Sequence, residues 1–418
     1  MPSFSKPELL ITGLGIVSAV GQGRAAFADA LFSGDQAFDV MRRPGRQGPV
    51  TESSEPGAVT EGFLGAEIQE LRLPASMAAQ ERTTSWSTKA AIVCLQEAWQ
   101  DAGLSDVDPQ RIALVVGGSN FQQRELVLVQ DAYRARRSYL RPSYGLTFMD
   151  SDLCGACTEQ FGIKGGAFTV GGASASGQLV LLQACQMIEA GQVDVCIALG
   201  ALMDLSYWEC QGFRALGAMG SDRYAREPAA ASRPFDRQRD GFIYGECSGA
   251  LVVERADRRA RRGRSPYARI LGRGLHMDAH RNPDPSMAGE LAAMSGALAE
   301  AGLTAQAIDY VNPHGSGSLQ GDETELRALA EAGLMHARIN ATKSIVGHGL
   351  TAAGTVEVIA TLLQMEHQML HPSRNLHDPI DDRFNWVRGE AVPASIHRAL
   401  KLSFGFGGIN TAVCLERC

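Results

Sequence analysis

The most informative stretch of this chain is Phe168-Thr-Val-Gly-Gly-Ala-Ser174-Ala-Ser-Gly177, which continues directly as Gln-Leu-Val-Leu-Leu-Gln-Ala-Cys. A short apolar run reaches two glycines, which permit a tight turn and the close approach of a ligand. The helix that follows is apolar on nearly every side, which predicts that it is buried. Its first turn would direct free N–H groups and the positive end of the helix dipole into the protein. Ser174 lies at that turn, although a packing corner of small residues would give the same local pattern.

The composition excludes several classes of protein. With 418 residues, of which 45% are hydrophobic, the chain can bury one large core or two medium ones. Its net charge of −7 argues against general binding of nucleic acid, and no apolar run approaches the roughly 18 residues needed to span a membrane. Nine irregularly spaced cysteines predict reduced thiols and a cytoplasmic location. Cys154 and Cys157 form a CxxC pair, but without a second pair or a nearby histidine we expect no metal site there.

Strands and helices alternate along the chain. The segment Leu9–Ser18 reads as a buried strand broken by glycines, and Thr83–Ala102 as a helix stopped by Gly103. Further apolar strands follow at 111–118, 193–200 and 249–254. This alternation predicts an α/β protein with layered helices and strands.

The second part of the chain repeats the pattern of the first. An arginine-rich run, Arg255–Arg264, separates the two parts. We therefore predict an N-terminal half, residues 1–255, and a C-terminal half, residues 256–418. Ser174 and His348 each occupy a glycine-framed helix start in successive halves, which is typical of an internal duplication.

Three other segments carry predictions. The stretch 42–62 is rich in proline, glycine and serine, which predicts a surface loop. The segment Tyr133–Tyr144 is rich in arginine and tyrosine, and we expect it near a partner surface. His367 and His371 lie four residues apart near a helix end, where they would be able to bind a metal, but we expect both to be simply exposed.

Candidate site residues lie in the glycine-framed loops of the C-terminal half. His314 and His348 stand at the carboxyl end of a strand or the start of a helix, where ligands bind in open α/β sheets. Two neutral imidazoles donating N–H to one oxygen would stabilise negative charge on it. Lys343, if buried, would need a carboxylate, and Glu325 is the natural candidate. Asp322 and Glu325 also open a helix, so capping alone would explain them.

Eight motifs, spread over nearly the whole chain, occur together: Ile11-Thr-Gly-Leu-Gly-Ile-Val-Ser18, Ala173-Ser174-Ala-Ser-Gly177, Arg233-Pro-Phe-Asp236, Arg239-Asp-Gly-Phe-Ile-Tyr-Gly-Glu246, Asn312-Pro-His314-Gly-Ser-Gly-Ser318, Gly321-Asp322-x-x-Glu325, Lys343-Ser-x-x-Gly-His348 and Gly405-Phe406-Gly-Gly408. The combination closely resembles the β-ketoacyl-acyl-carrier-protein synthases of the thiolase fold. The resemblance implies a five-layer αβαβα fold with two duplicated halves, usually in a homodimer. It also implies a substrate delivered on the phosphopantetheine of an acyl carrier protein, with no bound cofactor or metal.

The resemblance assigns roles to particular residues. The catalytic histidines of the family match His314 and His348, its lysine matches Lys343, and its paired glutamate matches Glu325. Ser174 lies at the elbow, the tight turn between the strand and the buried helix. An oxyanion hole would be formed by the backbone N–H groups of this elbow residue and of Phe406. The Phe406 ring would act as a gate, with Gly407 next to it.

The departure at the elbow matters more than these matches. The family nucleophile is a cysteine, and this chain has Ser174. A thiol with a pKa near 8.5, lowered further at a helix N-terminus, supplies thiolate at neutral pH. A serine hydroxyl needs an adjacent general base, so acylation of Ser174 should be slow. Decarboxylation of a malonyl thioester, the other half-reaction of the family, does not need the nucleophile.

The serine variant of the pattern resembles the stand-alone ketosynthase-like decarboxylases of polyketide β-branching cassettes. These convert malonyl carrier protein to acetyl carrier protein, which an HMG-synthase-like partner adds to a growing chain. A second hypothesis is a synthase or acyltransferase in which Ser174 is acylated. A third is a non-catalytic, chain-length-factor-like subunit of a heterodimer, against which the retention of His314, His348 and Lys343 counts.

Overall fold

The structure, a computed structural model, describes residues 6–48, 62–78, 81–257 and 265–418. Most of the surface loop predicted at 42–62 and the arginine run 258–264 lie outside the described residues. The strands of the described residues are, in chain order, β1 (Leu9–Ser18), β2 (Gly21–Gln22), β3 (Phe38–Val40), β4 (Leu64–Ala66), β5 (Ile112–Gly117), β6 (Ala167–Val170), β7 (Val195–Gly200), β8 (Tyr244–Gly245), β9 (Cys247–Arg255), β10 (Ala268–Met277), β11 (Tyr310–Asn312), β12 (Arg338–Ile339), β13 (Met369–Leu370), β14 (Asn385–Trp386), β15 (Val392–Pro393), β16 (Arg398–Gly405) and β17 (Ile409–Arg417). The helices are α1 (Arg24–Ser33), α2 (Trp86–Ala102), α3 (Gln123–Tyr133), α4 (Tyr144–Thr147), α5 (Ser151–Phe161), α6 (Ser176–Glu189), α7 (Tyr207–Ala215), α8 (Met287–Ala301), α9 (Leu319–Glu331), α10 (Lys343–Val346) and α11 (Ala353–His367).

Most of the strands form one sheet whose two ends repeat the same order. The sheet runs β14-β12-β11-β16-β17-β10-β1-β9-β7-β5-β6. From the centre outward, β1-β9-β7-β5-β6 pair antiparallel, antiparallel, parallel and parallel, and β10-β17-β16-β11-β12 pair in the same sequence of directions. The halves join where β1 pairs antiparallel with β10. The predicted duplication is therefore confirmed, while the boundary at residue 255 stays a prediction.

The duplication extends to single residues of the central strands. β1 has an irregularity just before Gly13, and β10 has one just before Gly272. A Cβ atom on Gly13 would lie 2.6 Å from the carbonyl oxygen of Ala98 in α2. One on Gly272 would lie 2.2 Å from the carbonyl oxygen of Ala297 in α8. Only glycine lets each helix backbone pack this closely on its strand.

Helices α6 and α11 pack on each other between the two ends of the sheet, with α6 on β5 and β7 and α11 on β9 and β16. Helices α2 and α8 cover the outer faces, on β1 and β10. The result is the predicted five-layer αβαβα architecture. The first turns of the inner helices meet at Gly177 and Gly354, where a Cβ would lie 2.7 Å from Thr355 N and 2.3 Å from Gln178 N.

Several smaller predictions have mixed outcomes. His367 is exposed as predicted, but the expectation that His371 is exposed was wrong. His371 is fully buried, with Nε2 3.0 Å from Thr342 Oγ1 and Nδ1 3.0 Å from the carbonyl oxygen of Pro372. Two polar partners make this burial possible, and burial lowers the pKa of His371 to about 4.

Cys154 and Cys157 are free and buried on α5. In the described ranges, no group of three or more His, Cys, Asp or Glu side chains is arranged to hold a metal ion. Among the described residues, no helix is both long enough and apolar enough to cross a membrane.

Candidate active site

The Ser174 elbow connects the end of β6 to the start of α6. Ala173 has a φ of +47°, a left-handed conformation that is strained for a residue with a side chain. Ser174 sits in the single turn Ala173–Ala175, immediately before α6 begins. The hydroxyl of Ser176 locks this turn, because it accepts from Gly172 N–H at 2.9 Å and donates to the Ala173 carbonyl at 2.7 Å. The prediction of a strand, a tight turn and a buried helix is confirmed.

The second half contains the same turn. Leu350 has a φ of +51° and begins the turn Leu350–Ala352, after which α11 starts. Thr351 therefore occupies the position that corresponds to Ser174. His348, which the sequence pattern matched with Ser174, lies two residues before Leu350, in the short loop that leads into the duplicated turn.

His348 contacts Ser174 directly, with Nε2 3.0 Å from the serine Oγ. Its other ring nitrogen, Nδ1, accepts a hydrogen bond from the backbone N–H of Leu350 at 3.2 Å. Burial, and then the nearby charges of Lys343 and Lys401, hold the pKa of His348 well below its usual value. The ring is therefore neutral with its proton on Nε2, and it donates to the oxygen of Ser174.

His314 follows β11 and lies beside His348, with ring centroids 5.5 Å apart and planes at 79°. Its Nδ1 is buried and has no hydrogen-bond partner within the described part of the chain. Burial lowers the pKa of His314 well below 6.5, and the charge on Lys343 lowers it further. The structure thus brings together the two neutral imidazoles predicted from the sequence.

The predicted pairing of Lys343 with Glu325 is wrong. Lys343 Nζ instead forms an ion pair with Glu357 of α11 and donates to the carbonyl oxygen of His314. The other carboxylate oxygen of Glu357 lies 2.8 Å from Lys401 Nζ, and all three charged side chains are almost fully buried. The sequence contained a signal for this cluster, because Glu357 and Lys401 each interrupt a run of apolar residues.

The Glu325 carboxylate instead contacts the backbone of the loop that carries His314. Its oxygens accept the backbone N–H groups of His314 at 2.6 Å and of Gly315 at 2.8 Å. Burial raises the pKa of the Glu325 carboxyl, and these hydrogen bonds oppose the rise. Asp322 holds the same loop through Gly317 N–H at 3.0 Å. Glu325 therefore positions His314.

The Phe406 loop follows β16 and lies against the elbow. A Cβ on Gly405 would come within 2.3 Å of the carbonyl oxygen of Gly172. Phe406 is 40% exposed, and Gly407 adopts a left-handed φ of +89°. The gate and oxyanion-hole roles of Phe406 and Gly407 stay predictions.

These residues enclose one cavity of about 630 Å³. Ser174, His314 and His348 line its polar side, and Phe213 and Phe242 contribute to an apolar side. The lining also includes the exposed residues Leu319 and Phe406, so the cavity reaches the surface. The arrangement presents two N–H-bearing imidazoles to an oxygen in a partly enclosed space, which suits the stabilisation of a developing oxyanion.

Comparisons with known proteins identify the family of this chain. Residues 6–259 match the Beta-ketoacyl synthase, N-terminal domain, and residues 267–377 match the Beta-ketoacyl synthase, C-terminal domain. A Bacillus subtilis (strain 168) protein named polyketide biosynthesis malonyl-ACP decarboxylase PksF is 55% identical over 417 residues, which cover 100% of this chain and 98% of the relative. The chloroplastic 3-oxoacyl-[acyl-carrier-protein] synthase I of Arabidopsis thaliana is 30% identical, with 98% of this chain and 87% of the relative covered.

Solved structures give the same result. The crystal structure of a β-ketoacyl synthase from Burkholderia phymatum STM815 is similar with a TM-score of 0.87 and 28% sequence identity. The similarity covers 99% of this chain and 100% of that structure. The chain matches both family domains in their order along the sequence, and its duplicated fold matches the solved β-ketoacyl synthase structure. The chain belongs to the β-ketoacyl synthase family.

Proposed function

We propose that this protein decarboxylates malonyl carrier protein to acetyl carrier protein in polyketide biosynthesis. The observation that carries the proposal is the orientation of His348, whose Nε2–H points at Ser174 while Nδ1 is occupied by Leu350 N–H. The Bacillus subtilis relative, 55% identical over nearly its full length, is named a malonyl-ACP decarboxylase. We also propose that the acetyl group serves β-branching, as the resemblance of the elbow region implies.

In the proposed reaction, the thioester oxygen of the malonyl group accepts N–H donors from His314 and His348. Loss of carbon dioxide moves an electron pair onto that oxygen, and the two donors stabilise the resulting enolate. Neutral imidazoles suit this task because each already carries an N–H and neither must lose or gain a proton first. The Ser174 hydroxyl would then be a hydrogen-bonding neighbour of the bound substrate.

The buried charge cluster keeps the imidazoles in this state. Lys343 and Lys401 carry two positive charges against the single carboxylate of Glu357. Burial lowers the pKa values of His314 and His348, and the charges of both lysines lower them further. A cationic surplus buried next to two imidazoles therefore disfavours imidazolium and maintains the hydrogen-bond donors in their neutral form.

The acyltransferase alternative requires a base that accepts the proton of Ser174. His348 is the neighbour of the Ser174 oxygen, but its facing nitrogen is a donor, because Nδ1 already accepts from Leu350 N–H. Acylation of Ser174 would require the ring to give up that bond and change tautomer. The chain-length-factor-like alternative leaves unexplained why two histidines line an open cavity with a buried lysine cluster behind them.

We further propose that the substrate arrives on the phosphopantetheine arm of an acyl carrier protein, that no other cofactor takes part, and that the protein acts in the cytoplasm as a homodimer. A homodimer is supported by the edge strand β6, the last strand at one end of the sheet. Phe168 of this strand is 39% exposed, and the large apolar residues Leu146 and Phe148 are also exposed. Exposed apolar side chains, combined with a sheet edge that none of the described strands extends, favour association with a second copy.

The test is intact-mass analysis of malonyl carrier protein incubated with the purified protein. Conversion to acetyl carrier protein is expected, with no mass added to the protein. An acyl adduct on Ser174 would favour the acyltransferase, and an unchanged substrate would favour the non-catalytic subunit. Either of these two results would overturn the proposed decarboxylase.

A further inference from the structure

Glu290 is a buried carboxyl group that the site described above does not use. It lies in the first turn of α8, is 1% exposed and lines the same cavity as Ser174 and His314. Its Oε2 is buried and has no hydrogen-bond partner in the described residues. An unsatisfied buried acid costs stability, so its presence beside a reaction cavity calls for a chemical reason.

The surroundings of Glu290 decide its protonation state. Burial raises the pKa of Glu290 well above its usual value, and the neighbouring acids Glu325, Asp278 and Asp322 raise it further. Each of those neighbours has donors of its own. Glu325 and Asp322 accept backbone N–H groups, and Asp278 Oδ2 accepts from Asn410 Nδ2 at 2.9 Å. Burial also raises the pKa of Asp322 to about 6 and that of Glu325 to about 7, but hydrogen bonds oppose both rises. Glu290 is therefore the carboxyl of this group whose protonated form is most favoured.

The start of α8 is fixed relative to the Phe406 loop. Asp278 donates its N–H to the carbonyl oxygen of Gly408 at 2.9 Å. A Cβ on Gly289 would lie 1.8 Å from Asp278 Oδ1 and 2.6 Å from Asn410 Nδ2, so the backbone next to Glu290 packs tightly on both residues. Glu290 is therefore held in place at the wall of the cavity.

The proposed reaction needs an acid that the two histidines do not provide. When carbon dioxide leaves, the terminal carbon of the enolate must gain a proton to become the methyl group of acetyl. His314 and His348 hold the oxygen and must keep their protons to do so. Lys343 and Lys401 are engaged with Glu357, away from the cavity lining. A hydroxyl such as that of Ser174 is a much weaker acid than a carboxyl group.

We propose that Glu290 is the general acid that protonates the enolate carbon, either directly or through one water. This inference rests on the proposed decarboxylase function. The C–C bond to the carboxylate breaks and its electron pair forms the enolate. The Glu290 O–H bond then breaks, a C–H bond forms at the methyl carbon, and Glu290 is left as a carboxylate. A proton from solvent, entering through the open mouth of the cavity, restores the acid.

The experiment compares the parent with Glu290→Gln, which keeps the shape of the side chain but has no acidic proton. Malonyl carrier protein is incubated with each protein in buffer containing ¹³CO₂. We expect kcat for acetyl formation to fall by about 10²-fold or more in the variant, in the range that general acids contribute. Because its enolate survives longer, the variant should also recapture ¹³CO₂ into the remaining malonyl group, which the parent should not do. Glu331→Gln, the same change at an exposed position of α9, should match the parent in both measurements.

Each outcome decides the matter. A Glu290→Gln variant with parental kcat would overturn the proposal while leaving the decarboxylase function intact. A lower kcat without ¹³C in the malonyl group would assign Glu290 a purely structural role and would overturn it as well. A parent that makes no acetyl carrier protein would reject the proposed function, and the inference with it. Lower kcat together with ¹³C uptake, at an unchanged melting temperature, supports the assignment.

Discussion

The backbone N–H of Leu350 donates to Nδ1 of His348 at 3.2 Å, and this hydrogen bond determines which ring nitrogen carries the proton. Leu350 has the left-handed φ that begins the duplicated turn before α11. In the first half, the same turn presents Ser174. The internal duplication thus supplies the serine from one copy and the control of the histidine tautomer from the other.

The first prediction concerns the oxyanion donors. His314→Ala or His348→Ala should lower the decarboxylation rate by about 10²–10³-fold, because each removes one N–H donor from the enolate oxygen. The rate is measured as acetyl carrier protein formed per unit time. His367→Ala, at an exposed histidine outside the cavity lining, should leave the rate unchanged. Equal and small effects at all three positions would reject the site.

The second prediction concerns stability at low pH. His371 stays neutral in the folded protein down to its pKa of about 4, whereas the unfolded chain takes up a proton below about 6.5. Its contribution to the free energy of unfolding is therefore fully present above pH 6.5 and is lost as the pH falls towards 4. The loss amounts to roughly 3 kcal/mol.

The measurement for this prediction is the free energy of unfolding of the parent and of His371→Asn between pH 7 and 4. The difference between the two should shrink as the pH falls, because the variant lacks the titrating group. His367→Asn, the same substitution at an exposed histidine, serves as the control for the loss of an imidazole. Parallel curves for the parent and His371→Asn would contradict the assignment of a buried neutral histidine.

The sequence predicted the glycine-dependent parts of the fold more completely than its ionic contacts. Gly13 and Gly272 mark strands on which a helix backbone packs, and a missing side chain is visible in the sequence itself. The partner of Lys343 is not visible, because Glu325 and Glu357 are both plausible and the choice depends on which backbone N–H groups lie nearby. His314 and Gly315 supply those groups to Glu325.

Among the helices longer than four residues, α3, α5 and α7 were not predicted from the sequence. These helices bury few residues: Arg124 in α3, Cys210 in α7, and Leu153, Cys154 and Cys157 in α5. Their sequences therefore lack the wide apolar stripe that predicts a core-facing helix. Glu290 also escaped notice. A single glutamate in the first turn of a helix suggests pairing with the helix dipole, and its burial against three other acids arises only when β10, α8 and α9 come together.

The third prediction concerns the buried charge cluster. Glu357→Gln removes the counter-charge of Lys343 and Lys401 and leaves two lysines buried without a carboxylate. Unfolding should become easier by about 3–5 kcal/mol, as found when one partner of a buried pair is removed. Asp378→Asn breaks an exposed pair with Arg237 and should cost at most about 1 kcal/mol. Similar losses in the two variants, measured by denaturant unfolding, would contradict the importance of the cluster.

The fourth prediction concerns docking of the carrier protein, which is typically acidic. Arg134, Arg136, Arg137 and Arg141 are all exposed, as expected for a partner surface. Reversing these charges should raise KM for malonyl carrier protein and leave malonyl-pantetheine turnover unchanged, because the small surrogate does not need the surface. The second basic candidate, Arg258–Arg264, lies outside the described residues. Equal loss on both substrates would indicate misfolding of the variant, whereas an unchanged KM for malonyl carrier protein would contradict this docking surface.

The last prediction concerns Ser174. Since His348 donates to its oxygen, the hydroxyl is an acceptor that lacks a base, and Ser174→Ala should retain a large part of the decarboxylation rate, more than either histidine variant. Ser174→Cys should behave differently in kind. The helix start and the Nε2–H of His348 both favour thiolate at this position, so incubation with an acyl carrier protein should give an acyl adduct detectable by intact mass. Both variants are compared with the parent by intact mass and by product formation. An inactive Ser174→Ala, together with an acyl adduct on Ser174 of the parent, would establish the hydroxyl as a nucleophile and refute the decarboxylase-only mechanism.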